Sequence, residues 1–304
     1  MVGKRATAID WDRLGLVGAL VVGLVFSVAY ATGQVIRPYD LDCYWLATDF
    51  GNLYTADWLD PVYCYVYPPV MAQLLYPFHV LPYPVVTTGW ILLCFASLWV
   101  CLREWTLPAI ALGFVAIAVP ALNILGAGLA PVLLGNVTMP MAAAIVLAMR
   151  SSPAWSPGWF AIPILTKLTA GVGLLWFPFR REWRPFAIGV GMTAAVVVVS
   201  FVVSPAAWIE WIDFTITNYG GTPRVPVIGG FPLRVIAAVA IVAWGARTNR
   251  PWVTAIAGGI ALPALYGVSS GVSVALGAYG IWRDGRRQAT FIHRRDVAQP
   301  VPVA

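Results

Sequence analysis

The chain has 304 residues, 60% of them hydrophobic and only 11% charged, with a mean hydropathy of +0.79 and a formal net charge of +6. An ordinary soluble domain carries about 25% charged residues, so that class is excluded. The apolar runs are continuous rather than alternating, which argues against a β-barrel and predicts an all-α integral membrane protein without a soluble domain.

In chain order, the runs predict about ten transmembrane helices in a single polytopic domain over 1–304: 14–32, 67–82, 84–102, 107–126, 130–149, 158–178, 185–203, 232–246, 251–265 and 267–282. Each is near the roughly 17–25 residues that cross a bilayer. The first is too long for a signal-peptide core and lacks a small-residue cleavage site, so it reads as a span. With the N-terminus in the cytoplasm, thirteen cations fall inside and five (Arg37, Arg103, Arg150, Arg224 and Arg234) outside. That bias predicts a multi-pass plasma-membrane protein with both termini cytoplasmic. It also makes the +6 a matter of orientation and contact with membrane lipids, so no nucleic acid is expected. Two sizeable outer loops result, 33–66 and 204–231, and the basic tail 283–304 is expected to be disordered.

The first outer loop concentrates chemistry. It holds Asp40, Asp42, Asp49, Asp57 and Asp60 against one cation, Arg37. A carboxylate desolvated among Tyr and Trp at a membrane surface becomes a stronger base, and Asp40-Leu41-Asp42-Cys43-Tyr44-Trp45 fits that description. An extended backbone would put Asp40 and Asp42 on one face and a helix would point them apart. Each aspartate has the plainer alternative of hydrating a loop or capping a helix. Asp57 and Asp60, three apart before Pro61, favour capping over a metal site. Cys43 and Cys64 either pair on this oxidising side or remain two thiols, whereas Cys94 and Cys101 lie within a span and read as packing residues.

Tyr67-Pro68-Pro69 opens the next span with a stiff proline start. Gly135-Asn136-Val137-Thr138 interrupts a later one with an amide and a hydroxyl, which either bind a polar ligand or bond a neighbouring helix. Lys167 is the one ionisable side chain deep in a predicted span. A cation there costs about 2.5–3.5 kcal/mol, so it implies a polar cavity and a partner unless it snorkels to an interface. In the second outer loop, Trp208 and Trp211 with Glu210, Asp213, Asn218 and Arg224 suit sugar stacking or an interfacial belt. His79, near a predicted inner turn, and His293, in the tail, offer no catalytic pairing. No phosphate loop, dinucleotide fingerprint or zinc spacing occurs, and neither cofactor nor metal is expected.

In this order the motifs resemble glycosyltransferase family 87, the polyprenol-phosphate-mannose-dependent mannosyltransferases of the GT-C superfamily. Asp40 to Tyr44 matches the family's Asp-x-x-x-Tyr element, and Tyr67-Pro68-Pro69 its Tyr-Pro-Pro element. Gly135 to Thr138 corresponds loosely to Gly-Gln-x-Asn, and Lys167 to Ala170 with the turn Arg180 to Arg184 resembles the family's Lys-x-x-Pro and basic turn. Asn136, Thr138 and Ala170 stand where Gln, Asn and Pro are usual.

The resemblance covers roughly 14–220 and implies a GT-C-like bundle with an extracytoplasmic catalytic loop. Implied with it is inverting sugar transfer from a polyprenyl-phosphate-sugar donor to a glycolipid or glycan acceptor. It gives Asp40 the role of general base, with Asp42 in reserve. Lys167, Arg224 and Asn136 would bind donor phosphate, and Tyr44, Tyr67, Trp208 and Trp211 would position substrate. A lipid-linked sugar flippase or a non-catalytic membrane scaffold are the alternatives. The flippase would be expected to show paired midplane charges and repeats.

Overall fold

The computed structural model describes residues 10–34, 38–48, 50, 53–54, 65–118, 129–150, 152–219, 230–263 and 267–286. Among these residues every regular element is helical. Four apolar helical stretches have the length and composition to cross a membrane: Trp11–Ala31, Tyr83–Val115, Trp183–Val203 and Phe231–Thr248.

The first helix, α1 (Trp11–Ala31), is capped by Asp10, whose side chain accepts from Arg13 N at 3.2 Å. Its buried residues are Gly15, Ala19, Gly23 and Ser27, one small residue every fourth position. Such a stripe lets two helix backbones approach closely. A Cβ on Gly15 would lie 2.6 Å from the Arg103 carbonyl oxygen, and one on Gly23 would lie 3.0 Å from the Phe95 ring. The partner is therefore α4 (Tyr83–Leu102), running antiparallel to α1. At Arg103 the backbone takes φ 49° and the chain turns back into α5 (Thr106–Ala118). Leu107 then meets Gly18, and Phe114 stacks on Phe26 at 5.4 Å, so α5 climbs alongside α1.

Between α1 and α4 lie two short helices, α2 (Tyr39–Leu46) and α3 (Pro69–Leu75), with a 3₁₀ segment Tyr76–Val80. The predicted span 67–82 is thus not one crossing helix. Proline residues at 68, 69, 77, 82 and 84 remove backbone donors and break it into pieces too short to cross. As a result α4 descends where the run of predicted spans had it ascending.

The predicted span 130–149 is likewise divided, into α6 (Ala130–Leu133) and α7 (Thr138–Ala148), with the Gly135-Asn136 turn between them. The predicted span 158–178 becomes a 3₁₀ turn Ser156–Phe160, α8 (Ala161–Thr166), a break at Lys167, a 3₁₀ stretch Leu168–Leu175 and α9 (Trp176–Phe179). Both ends of this segment sit together, because Arg150 and Arg180 line one cavity. The segment enters the bundle, turns at Lys167 and returns. The remaining helices are α10 (Trp183–Val203), α11 (Pro205–Tyr219), α12 (Phe231–Thr248), α13 (Val253–Ile260), α14 (Gly267–Ala275) and α15 (277–286). On α10 the exposed Val198, Val199, Val202 and Val203 form an outward apolar face suited to lipid.

One end of the bundle is basic. Arg103 pairs with Asp12 at 3.8 Å, and Arg150 pairs with Asp284 at 3.2 Å, which Arg283 also binds at 2.6 Å. Arg180 bonds Asn249 at 3.2 Å, bringing the Arg247 to Arg250 turn to the same end. Arg103 and Arg150, expected on the outer side, therefore join the N-terminal and C-terminal cations. The cause is the lost crossing at 67–82, which inverts the helices between it and Lys167; the segment that turns back at Lys167 restores the expected direction from α10 onward. Residues 283–286, expected as the start of the tail, belong to α15, and Arg283 is buried with a bond to Val100 O at 3.5 Å.

Candidate active site

Opposite the basic end, α2 settles the question left by the two aspartates. Residues two apart on a helix point roughly 200° from each other, and Asp40 and Asp42 do so. Asp42 accepts a hydrogen bond from the Tyr83 hydroxyl at the start of α4. Asp40, half-buried, faces the Gly135-Asn136 turn instead.

That turn is shaped by Gly135, whose φ of 70° lies in the left-handed region. A Cβ there would stand 3.0 Å from Leu41 Cβ and 3.3 Å from Pro38 Cβ, so glycine also permits the close seating on α2. Asp40 N donates to Leu134 O at 3.1 Å and Trp90 Nε1 to Gly135 O at 2.6 Å. The turn is therefore locked on both sides, which fixes Asn136.

Asn136 is buried and fully oriented. Its Oδ1 accepts from Thr138 N at 3.0 Å and from Lys167 Nζ at 3.3 Å, which leaves the amide NH₂ as the group that bonds the Asp40 carboxylate. Lys167 projects from the non-helical break (φ −141°, ψ 76°) and is 1% exposed. It is not snorkelling. Its ammonium also donates to Ser270 Oγ at 3.3 Å and sits 5.5 Å from the Tyr67 ring centroid.

Tyr67 is held by the motif around it. Tyr65 Oη donates to Pro68 O at 2.6 Å and accepts from Ala72 N at 2.9 Å, pinning the first turn of α3. Tyr44 Oη donates to Tyr67 Oη at 3.1 Å and accepts from Val137 N at 3.3 Å, and the two rings meet edge to face at 4.9 Å. Asp40, Tyr44, Tyr67, Asn136 and Lys167, which a hydropathy reading leaves scattered along the chain, converge on one polar cluster.

Burial pushes the Asp40 carboxyl above the usual aspartate range, while the Lys167 ammonium and the Asn136 hydrogen bond pull it partly back. A desolvated carboxylate can accept a proton, while a buried ammonium near it can compensate negative charge.

Other expected residues fall elsewhere. Trp208 and Trp211 are buried on α11, packed edge to face at 5.5 Å in a cluster with Val70 and Leu165, and Trp208 Nε1 donates to Ser200 Oγ at 2.9 Å. They brace α3 from behind, in an apolar cluster of their own. Arg224, Asp57, Asp60 and Cys64 lie outside the described residues, although Cys43 is disulfide-bonded. Cys94 and Cys101 are buried free thiols, as expected of packing residues. His79, expected near an inner turn, lies at the end away from the basic one. It stacks on Trp45 at 3.7 Å, beside Tyr83, at the end that holds Asp42. Ser270 escaped sequence reading; its signal was the cluster Ser269, Ser270 and Ser273 inside an apolar run.

A family model described as Glycosyltransferase family 87 matches residues 65–294. The matched stretch includes Tyr67, Asn136, Lys167 and Ser270 and begins after Asp40. No curated protein and no solved structure matches the chain.

Proposed function

The chain belongs to glycosyltransferase family 87, and from that premise we propose that it moves a sugar, mannose in the first instance, from a polyprenyl-phosphate donor to an envelope glycolipid or glycan. The observation that carries this reading is the cluster of half-buried Asp40 with buried Asn136 and Lys167. Asp40 is the general base. Its carboxylate takes the acceptor hydroxyl proton as that oxygen attacks the anomeric carbon, and the bond from that carbon to the phosphate oxygen breaks. The electron pair leaves with the polyprenyl phosphate, so the anomeric centre inverts in one displacement. Lys167 faces the developing phosphate charge, where a preorganised cation lowers the barrier. Asn136 orients both groups, and Tyr44 and Tyr67 shape the wall around them. Arg224 is assigned to the donor phosphate on sequence grounds alone.

Ten of the twelve described cations gather at the end away from Asp40, the exceptions being Lys167 and Arg234. The positive-inside rule therefore supports a cytoplasmic basic end and an extracytoplasmic site. The phosphate of such a donor stays on its lipid, which is consistent with a site set among apolar helices rather than in a nucleotide-binding domain.

The test is to incubate membranes containing the protein with radiolabelled polyprenyl-phosphate-mannose and track label into an acceptor. Label should be transferred by the wild type and not by Asp40→Asn. No transfer by the wild type from this donor, with transfer from another polyprenyl-phosphate sugar, would replace mannose and keep the mechanism. Full activity in Asp40→Asn would reject Asp40 as the base.

A further inference from the structure

At the basic end, far from Asp40, a cavity of about 490 Å³ opens between α7, α9, α10 and the turn after α12. Three arginines line it, Arg150, Arg180 and Arg184, against one carboxylate, Glu182. Two of the three are held in place. Arg180 donates through Nε to Glu182 at 2.7 Å and through one terminal nitrogen to Asn249 Oδ1 at 3.2 Å and Ala246 O at 3.3 Å, with its guanidinium 5.5 Å from the Trp176 ring. Arg150 is held through Nε by Asp284 at 3.2 Å. Arg184, by contrast, forms no hydrogen bond or ion pair among the described residues.

Positive charge near a membrane face has a general explanation in orientation, and that needs no cavity. Guanidiniums lining a half-open cavity do more, since the N–H groups not already bonded can be donated to phosphate oxygens. The surroundings favour a lipid source for that phosphate. Trp183 and Phe179 are exposed beside the cavity, as expected of aromatics at headgroup level.

We propose that this cavity binds a phosphate group, supplied by an anionic phospholipid headgroup of the leaflet at the basic end. The site is separate from the sugar-transfer cluster and does not depend on it.

The experiment measures binding of phosphatidylglycerol and phosphatidylcholine to the purified full chain by native mass spectrometry. Three variants are compared with the wild type: Arg184→Gln, Arg180→Gln and Arg13→Gln. Arg13 is exposed at the same end but does not line the cavity. The wild type should prefer phosphatidylglycerol, and loss of either cavity arginine should weaken it about fivefold, the effect of roughly 1 kcal/mol per basic residue at a lipid surface. Arg13→Gln should leave it unchanged. Arg184 bonds nothing among the described residues, so that variant is expected to fold even if Arg180→Gln does not. An equal loss in Arg13→Gln, or equal binding of the two lipids, overturns the proposal in favour of diffuse surface charge. If millimolar inorganic phosphate displaces the lipid and Arg184→Gln weakens phosphate too, the phosphate site stands and its natural source includes solution.

Discussion

Asn136 joins the two charged members of the cluster: its Oδ1 lies 3.3 Å from Lys167 Nζ, and its amide bonds the Asp40 carboxylate. A neutral side chain thus sets where an anion and a cation sit relative to each other. Fixed geometry of this kind is what lets an acid–base group and an electrostatic stabiliser act on one bond.

On the proposed mechanism, removing the Asp40 carboxylate should remove the reaction. Asp40→Asn keeps shape and hydrogen-bonding capacity but cannot accept a proton, and general base catalysis contributes roughly 10²- to 10⁴-fold. Transfer of label from the lipid donor should fall by at least that lower figure, with membrane insertion unchanged. Asp42→Asn, which alters a bond to Tyr83 on the opposite face of α2, should retain far more activity. The reverse ranking would move the base to Asp42.

The pH dependence rests on the same carboxyl. A base works deprotonated, so activity is lost as pH falls through its pKa, and burial sets that pKa above the ordinary value of about 3.9. The acid limb of the rate profile should therefore lie above the usual aspartate range. Lys167→Met removes a cation that pulls the pKa down, so its residual activity should show an acid limb at still higher pH. An acid limb that stays in place in Lys167→Met would show that the two groups are not coupled.

Asn136→Leu should damage both stability and turnover. It leaves the Lys167 ammonium and the Asp40 carboxylate each short of a buried partner, at about 1–3 kcal/mol per unsatisfied group. Ser270→Ala removes one donor–acceptor contact and should cost less, with its effect concentrated in donor KM. Thermal unfolding in detergent and donor titrations separate the two. Equal and small effects would mean that the cluster is not preorganised by these partners.

Composition and apolar runs sufficed for the helical class and the membrane setting, because a bilayer admits few alternatives. They did not suffice for the path of the chain. A run such as 67–82 looks continuous to a hydropathy window, yet its prolines divide it, and one lost crossing carried Arg103 and Arg150 to the opposite end. The break at Lys167 was hidden for a related reason: buried helix and buried turn are equally apolar, and only the lysine itself marked the place. Tyr67, Asn136 and Lys167 stand out as polar or stiff residues in apolar sequence, and Asp40 stands out as the first carboxylate of an acidic loop between apolar runs. Their mutual contacts do not, since they come from stretches up to 127 positions apart along the chain. Trp208 and Trp211 show the converse, an aromatic pair whose composition suggests a ligand platform but which packs behind α3.

Gly135 gives the sharpest check on how the site is assembled. Its φ of 70° costs an L-residue about 1–2 kcal/mol. An added Cβ would also press on Leu41 at 3.0 Å, the residue next to Asp40. Gly135→Ala should therefore lower the unfolding temperature and shift Asn136 away from Asp40, reducing turnover more than the stability loss alone explains. Gly89 is the matched control. It lies in α4, where a Cβ would meet nothing within 4 Å, so Gly89→Ala should be neutral or stabilising by up to about 1 kcal/mol. Turnover measured below the unfolding transition separates the two effects: an active Gly135→Ala with only a lowered unfolding temperature would mean that the turn supports the fold without aligning Asp40 and Lys167.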